Sequence, residues 1–287
     1  MCIRDRPSSP IPMDAPKMAK ANWKTQYLVT FGHTGLDSTS TGIVVTVDAE
    51  AKFHVNLPFS KWVGSGNTVT YSYETIVTSS VSGKRFRLNG VTGPASPITV
   101  TEPATVTGNY AAQYLVSFSS TGLDASATGT VVTVDSSAET YSNLPFSRWF
   151  DDGASASYNY EPIVLSSNVG KRFRLDRAEG PISPITVTEP VTVTGNYVIQ
   201  YKVTFTQTGL SPDAIGTVVT VNGSAKNLGA LPFETWADDG TILTYSYTAI
   251  VPSTTSNHCR LDSITGPASP ITVTTHEIVI GNYATQY

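Results

Sequence analysis

The chain has 287 residues, of which only 14% are charged, and its formal net charge is -4. So slight a charge gives no reason to expect nucleic acid or an anionic membrane surface as a partner. No apolar run is long enough to span a bilayer as a helix. The two cysteines, Cys2 and Cys259, lie in very different contexts, so disulfides are not expected to hold the fold together.

The first 25 residues need separate treatment. The opening "MCIRDR" resembles a tract that begins many translated environmental reads as an adapter artefact, so we exclude it from fold reasoning. The next stretch, "IPMDAPKMAKANWKTQY", parallels "PITVTEPATVTGNYAAQY" further along, with Trp23 in place of Tyr110. We therefore interpret residues 1–25 as a leader and the remnant of a preceding module.

An internal repeat organises the rest of the chain. Gln-Tyr pairs begin at Gln26, Gln113, Gln200 and Gln286, with spacings of 87, 87 and 86 residues. A unit of this length can bury its own core and need not lean on its neighbours. The sequence predicts three domains, and the last one includes the first residues of a following repeat. Their bounds are 26–112, 113–199 and 200–287.

Each repeat has the pattern of short β-strands. In "QYLVTF" the alternation places Tyr27, Val29 and Phe31 on one face, and the face between them should see water. The turn-forming "TGLD" precedes a second strand, "TVTYSYE" is a third, and Pro103 interrupts the last long stretch. The sequence predicts an all-β fold of three tandem immunoglobulin-like β-sandwich domains in an elongated array.

The joints between repeats are very short. Only Ala111 and Ala112 separate Tyr110 from Gln113, whereas a flexible linker would be longer and rich in Gly and Ser. The strand that ends one domain should run almost directly into the strand that begins the next. The glutamines at these joints are expected to form interstrand or hinge hydrogen bonds.

A family resemblance follows from these motifs. The order "TQYLVTF", "TGLDSTSTGIVVTVD", "LPFSKW", "TVTYSYE", "KRFRL", "GPASPITVTEPATVTGNY" resembles the tandem immunoglobulin-like repeats of large archaeal and bacterial cell-surface proteins. The leader is similar to the closing strand of internalin-type B-repeat modules. The resemblance implies a building block of a prokaryotic surface protein, and it carries over no site residues.

No catalytic or cofactor-binding residues are predicted. The four histidines do not recur between repeats, and none has a Cys, His or carboxylate at ligand spacing. They are His33, His54, His258 and His276. The chain is therefore expected not to be an enzyme and to bind no cofactor.

Acidic pairs follow two of the three repeated tryptophans. Asp151 with Asp152, and Asp238 with Asp239, each precede a glycine and are weak candidates for calcium ligands. The first repeat has "VGSGN" there instead. A turn whose aspartates bond to nearby backbone amides is the favoured interpretation.

The tryptophans behind "LPF" have two interpretations. Trp62, Trp149 and Trp236 could form a platform that stacks on sugar rings, but we favour a structural role in the core between two sheets. The leading functional hypothesis is a structural stalk or spacer segment of an extracellular adhesin or cell-envelope protein. The alternative is a multivalent array that binds carbohydrate or protein. Expected partners are neighbouring domains of the same chain, and a surface glycan or protein under the alternative.

Overall fold

The computed structural model describes residues 2–4, 20–254 and 258–286. These residues form β-strands, turns and three single turns of 3-10 helix, at His54–Asn56, Tyr141–Asn143 and Leu228–Ala230. None of the helices in this part of the chain is long and apolar enough to cross a membrane. The prediction of an all-β fold is confirmed.

The strands follow the sequence repeat. Those before residue 104 are β1 (Cys2–Arg4), β2 (Trp23–Thr34), β3 (Ile43–Val47), β4 (Glu50–Phe53), β5 (Phe59–Gly64), β6 (Thr68–Val69), β7 (Tyr71–Tyr73), β8 (Ile76–Thr78), β9 (Lys84–Thr92) and β10 (Ile98–Thr99). The next ten are β11 (Ala104–Thr121), β12 (Ala127–Thr128), β13 (Thr130–Val134), β14 (Ser137–Thr140), β15 (Phe146–Asp151), β16 (Ser155–Ala156), β17 (Tyr158–Tyr160), β18 (Ile163–Ser166), β19 (Lys171–Glu179) and β20 (Ile185–Thr186). The last ten are β21 (Val191–Thr208), β22 (Thr217–Val221), β23 (Ser224–Asn227), β24 (Phe233–Asp238), β25 (Ile242–Leu243), β26 (Tyr245–Tyr247), β27 (Ile250–Pro252), β28 (His258–Thr265), β29 (Ile271–Thr272) and β30 (Glu277–Gln286).

The chain divides into two compact units, each made of several segments. The first unit comprises Met1–Val116, Ser147–Ser155 and Thr186–Val191, and the second comprises Ser117–Phe146, Ala156–Ile185 and Thr192–Tyr287. The boundaries of the three repeats stay a prediction. The leader assigned to residues 1–25 falls largely outside the described residues, but β1 pairs with β2 at Trp23–Thr25.

Two sheets enclose the core of the first unit. In one sheet β2 pairs antiparallel with β5 and parallel with β11, and β9 pairs antiparallel with both β11 and β8. The other sheet has the order β4-β3-β7. Val29 and Phe31 from the first sheet and Val45 from the second are all 0% exposed and share one hydrophobic cluster. This confirms the predicted inward face of β2.

The second unit repeats this arrangement toward the end of the chain. There β21 pairs with β24 and β30, β28 pairs with β30 and β27, and β22 lies between β23 and β26. Its cluster includes Val203, Phe205 and Cys259. Cys259 is 1% exposed and takes the position of the buried Phe86 and Phe173, so it is a core residue.

Tyrosine hydroxyl groups join the strands of each unit. The Tyr110 hydroxyl donates to the backbone oxygen atoms of Glu74 and Val44 at 2.8 and 3.1 Å, and the Tyr73 hydroxyl donates to that of Gly32 at 2.7 Å. Burial is the main cause that raises the pKa of Tyr73 to about 12. These hydroxyl groups therefore stay protonated donors throughout the ordinary pH range.

Candidate functional site

A single strand passes through the first predicted joint. Strand β11 runs for 18 residues without a break, and Ala111 and Ala112 lie within it. Strand β9 pairs with it beyond the joint, as far as the pair between Lys84 and Tyr114. The last strand of one predicted repeat therefore continues as the first strand of the next, as the short spacing predicts.

Five side chains from two predicted repeats meet at this joint, and we call them the first joint cluster. They are Arg85, Arg87, Gln113, Trp149 and Asp151. Arg85 Nε donates to Gln113 Oε1 at 2.8 Å, and Gln113 Nε2 donates to Asp151 Oδ1 at 2.8 Å. Arg87 Nη2 donates to Asp151 Oδ2 at 2.7 Å. The Arg85 guanidinium lies 4.3 Å from the centroid of the Trp149 ring, within the range of a cation–π contact.

The same contacts recur one repeat later, in the second joint cluster of Arg172, Arg174, Gln200, Trp236 and Asp238. Arg172 Nε donates to Gln200 Oε1 at 2.8 Å, and Gln200 Nε2 donates to Asp238 Oδ1 at 2.8 Å. Arg174 Nη2 donates to Asp238 Oδ2 at 2.9 Å, and Arg172 lies 4.2 Å from the Trp236 ring centroid. Because the same hydrogen bonds and the same stacking contact occur at both joints, the cluster is a regular feature of the repeat.

Strand pairing sets the second joint cluster. Gln200 lies on β21, opposite Arg172 on β19 and opposite Asp238 on β24. Three side chains in adjacent strands at one register position point to the same face of a sheet, so they can bond in a row. The backbone supports the row, because the Asp239 amide donates to the Ile199 carbonyl oxygen at 2.9 Å. The Asp152 amide donates to the Ala112 carbonyl oxygen at the same distance.

The electrostatics of the two clusters agree with this geometry. Hydrogen bonds from Arg87 and then Gln113 hold the pKa of Asp151 below its usual value, and Arg174 and Gln200 do the same for Asp238. Both aspartates are about two-fifths exposed at the side chain. Each ion pair alone therefore contributes at most about 1 kcal/mol to stability, because solvent screens it.

Two of the four calcium candidates bond to other side chains. The carboxylates of Asp151 and Asp238 are taken up by a guanidinium and an amide, as described above, whereas Asp152 and Asp239 are exposed. Asp239 lines a surface cleft of about 480 Å³ together with Tyr197 and Ile199. Within residues 20–254 and 258–286, no group of three or more His, Cys, Asp or Glu side chains could hold a metal ion.

The prediction that the tryptophans fill the core is wrong. Trp62 is 48% exposed, and Trp149 and Trp236 are partly exposed and stack on arginines. The physical reason is strand alternation. On β5, Val63 points into the core at 7% exposure, so its neighbour Trp62 points to the opposite face, where it pairs with Leu28.

The glutamine prediction is confirmed at two joints, and the arginines were missed. Gln113 and Gln200 are only 6% and 7% exposed, and each bonds to an Arg and an Asp. The sequence does carry a sign of the arginines, because "KRFRL" stands twice at the same place in the repeat. In the third repeat His258 replaces the first arginine, and its Nε2 lies 3.2 Å from Gln286 Oε1.

The first repeat contains a pair of adjacent histidines. The ring centroids of His33 and His54 are 4.8 Å apart, and His33 Nδ1 is buried without a hydrogen-bond partner among the described residues. Burial first, and the charge of His54 second, hold the pKa of His33 below its usual value. The ring is therefore neutral in the folded chain at neutral pH.

From the lowered pKa of His33 we predict a small loss of folding stability in mild acid. Because the folded pKa of His33 is lowered, its contribution is full above the unfolded value of about 6.5 and is lost as the pH falls through the folded value. The substitution His33→Ser, which installs the residue found at Ser120, is expected to flatten this part of the pH dependence. Urea unfolding between pH 5 and 8 measures it. An unchanged slope for His33→Ser would contradict the prediction.

No protein-family model and no curated protein sequence matches the chain. Among solved structures, it is similar to the pilus adhesin SpaC from Lactobacillus rhamnosus GG in its open conformation, with a TM-score of 0.24 and 13% identity over 93% of this chain and 44% of that chain. It is also similar to the Bacillus anthracis TIE protein, with a TM-score of 0.24 and 10% identity over 94% of this chain and 53% of that chain. The chain thus spans about half the length of the structures it matches.

Proposed function

We propose that the chain is a structural spacer segment of an extracellular cell-surface protein, of the adhesin or cell-envelope kind. In this proposal three immunoglobulin-like β-sandwich repeats, at 26–112, 113–199 and 200–287, follow one another through stiff joints. The observation that carries the proposal is the joint cluster, which occurs twice with the same residue types and nearly the same distances.

A spacer needs each joint to keep one geometry. A strand that continues through the joint restricts the backbone dihedrals there, and the buried glutamine bonds to both sides of the joint. An arginine stacked on a tryptophan adds a contact worth about 0.5–1 kcal/mol at such partly exposed sites. Their combination favours a joint that resists bending over a free hinge.

The alternative function, a multivalent array that binds carbohydrate or protein, finds less support. It requires aromatic faces exposed at the same place in every repeat. Trp62 is exposed, but arginines cover Trp149 and Trp236. We propose accordingly that the repeats are neither enzymes nor a common set of sugar-stacking platforms, and that they act at the cell surface through their length.

The spacer proposal is tested by the distance distribution between two spin labels. Val55 belongs to the first predicted repeat and Glu189 to the second, and both are exposed, so Val55→Cys and Glu189→Cys can carry labels without loss of packing, in a Cys2→Ser background in which Cys259 is buried. Double electron–electron resonance is expected to give one narrow distribution. A Gly-Ser insertion between Ala111 and Ala112 provides a flexible reference. A native distribution as broad as that reference would overturn the proposal.

A further inference from the structure

The first repeat contains the glutamine and the tryptophan of a joint cluster, which are the residues that contact the arginine at the other joints. Gln26 and Trp62 occupy the positions of Gln113 and Trp149, and Gln26 lies opposite Gly64 in the pairing of β2 with β5. The Ser65 amide donates to the Thr25 carbonyl oxygen at 2.9 Å, which is the contact that Asp152 and Asp239 make at the other joints. The backbone frame of the cluster is therefore already formed.

Among the described residues, no arginine bonds to Gln26. Gln26 Oε1 is buried and has no hydrogen-bond partner among the described residues, and Trp62 is 48% exposed. The equivalent oxygen atoms of Gln113 and Gln200 each accept a hydrogen bond from an arginine that also covers the tryptophan. A buried acceptor without a donor costs about 1–3 kcal/mol, so a donor at this position would be favoured.

The edge of β2 has the geometry to pair with an added strand. Strand β1, although it belongs to the opening tract set aside above, runs antiparallel to it, with Cys2 opposite Thr25 and Ile3 opposite Lys24. Strand β9 pairs with the equivalent residues of β11, where Phe86 lies opposite Ala112 and Arg87 opposite Ala111. Both strands have the same direction and the same register relative to the joint.

We propose that Gln26, Trp62 and the β2 edge form a docking site for an arginine-bearing strand of another repeat of this kind. The strand adds antiparallel to β2, and its first arginine donates to Gln26 Oε1 and stacks on Trp62. The inference rests on the repeat architecture of the proposed function. Gly64 stands where the other joints have aspartate, so the second arginine of the strand has no carboxylate to meet, and this site is weaker than the internal joints.

The probe is a capped peptide, Lys-Arg-Phe-Arg-Leu, which copies residues 84–88. It is titrated into the full chain labelled with nitrogen-15, and the indole N–H resonances are followed. The resonance of Trp62 is expected to shift saturably and those of Trp149 and Trp236 to stay in place. A peptide with both arginines replaced by lysine should bind about fivefold more weakly. A lysine ammonium lacks the planar set of N–H donors of a guanidinium, and it does not stack on an indole ring as a guanidinium does.

Two variants make the test specific. Trp62→Ala should abolish the binding, which is followed in this variant by the backbone amide resonances of β2, whereas Trp236→Ala, in a joint already occupied, should leave it unchanged. Gly64→Asp should strengthen binding about fivefold, because it supplies the carboxylate that Asp151 and Asp238 provide elsewhere. That gain should disappear with a peptide whose second arginine is alanine.

Removal of residues 1–19 gives a further independent arm, since β1 uses the same edge, and it should strengthen peptide binding. Equal binding of the lysine peptide, an unmoved Trp62 resonance, or a Gly64→Asp variant without any gain would overturn the proposal. These outcomes are separate from the spin-label distances, so a failed docking site and a failed spacer are distinguished.

Discussion

Replacing Gly35 by alanine is expected to lower the free energy of unfolding of the first unit by more than about 3 kcal/mol. Gly35 has a φ of +77°, and a Cβ placed there would lie 1.9 Å from the Tyr110 carbonyl oxygen. Because the obstacle is backbone rather than a mobile side chain, the turn and β11 must separate. Urea unfolding followed by tryptophan fluorescence measures the loss.

Two other glycines serve as controls for this prediction. A Cβ at Gly90 would meet nothing within 4 Å, and Gly66 is equally open but has a φ of +82°. Gly90→Ala should change stability by less than about 0.5 kcal/mol, whereas Gly66→Ala should cost about 1 kcal/mol from its backbone conformation alone. If Gly35→Ala costs no more than Gly66→Ala, the close approach to Tyr110 is not what fixes this turn.

The glycines at the equivalent position in the other two repeats extend the prediction to the second unit. Gly122 and Gly209 have positive φ as well, and a Cβ there would lie 1.8 and 1.9 Å from the carbonyl oxygen atoms of Tyr197 and Tyr283. Their substitution by alanine should be as costly as that of Gly35. The shared contact explains why glycine stands at this position in all three repeats.

The strand pattern was predictable because alternation is a local property. Val29 and Phe31 are buried where the period of two places them, and β11 begins at Ala104, directly after the predicted break at Pro103. The same alternation explains why the predicted core position of the tryptophans is wrong. Val63 is the inward residue of β5, so Trp62 beside it belongs to the opposite face. A large aromatic residue such as Trp62 suggested a core position. Alternation along the whole of β5 excludes that position.

The joint clusters could not be predicted from local sequence patterns. Arg85 and Asp151 are far apart in sequence, and their link through Gln113 depends on the pairing of β11 with both β9 and β15. The repeat makes the recurrence of each residue visible, but only the register shows that they share one face.

Breaking the first joint cluster is the second prediction with a large expected effect. The double substitution Arg85→Ala with Asp151→Gly removes the stack on Trp149, the bond to Gln113 and the ion pair to Arg87. We expect a loss of about 2–3 kcal/mol, because the buried Gln113 then lacks both side-chain partners. Differential scanning calorimetry measures the loss, and the spin-label distance distribution should broaden toward that of the flexible reference.

A surface ion pair away from the joints is the matched control. Arg177 Nη2 lies 2.6 Å from Glu179 Oε1, but the Arg177 side chain is 63% exposed. Arg177→Ala should therefore leave the stability nearly unchanged and the distance distribution narrow. A double variant at the joint that behaves like this control would mean that the joint cluster does not couple the repeats.

The dependence on pH separates the ion pair from the stack. Because the folded pKa of Asp151 is lowered, its contribution is full above the unfolded carboxyl value of about 3.9 and is lost as the pH falls through the folded value. The difference in stability between the native chain and Asp151→Gly should therefore shrink in strong acid, whereas the cost of Trp149→Ala should change little. Since the Arg85 guanidinium stays charged throughout, an acid-sensitive cost of Trp149→Ala would contradict the stacking role assigned to that tryptophan.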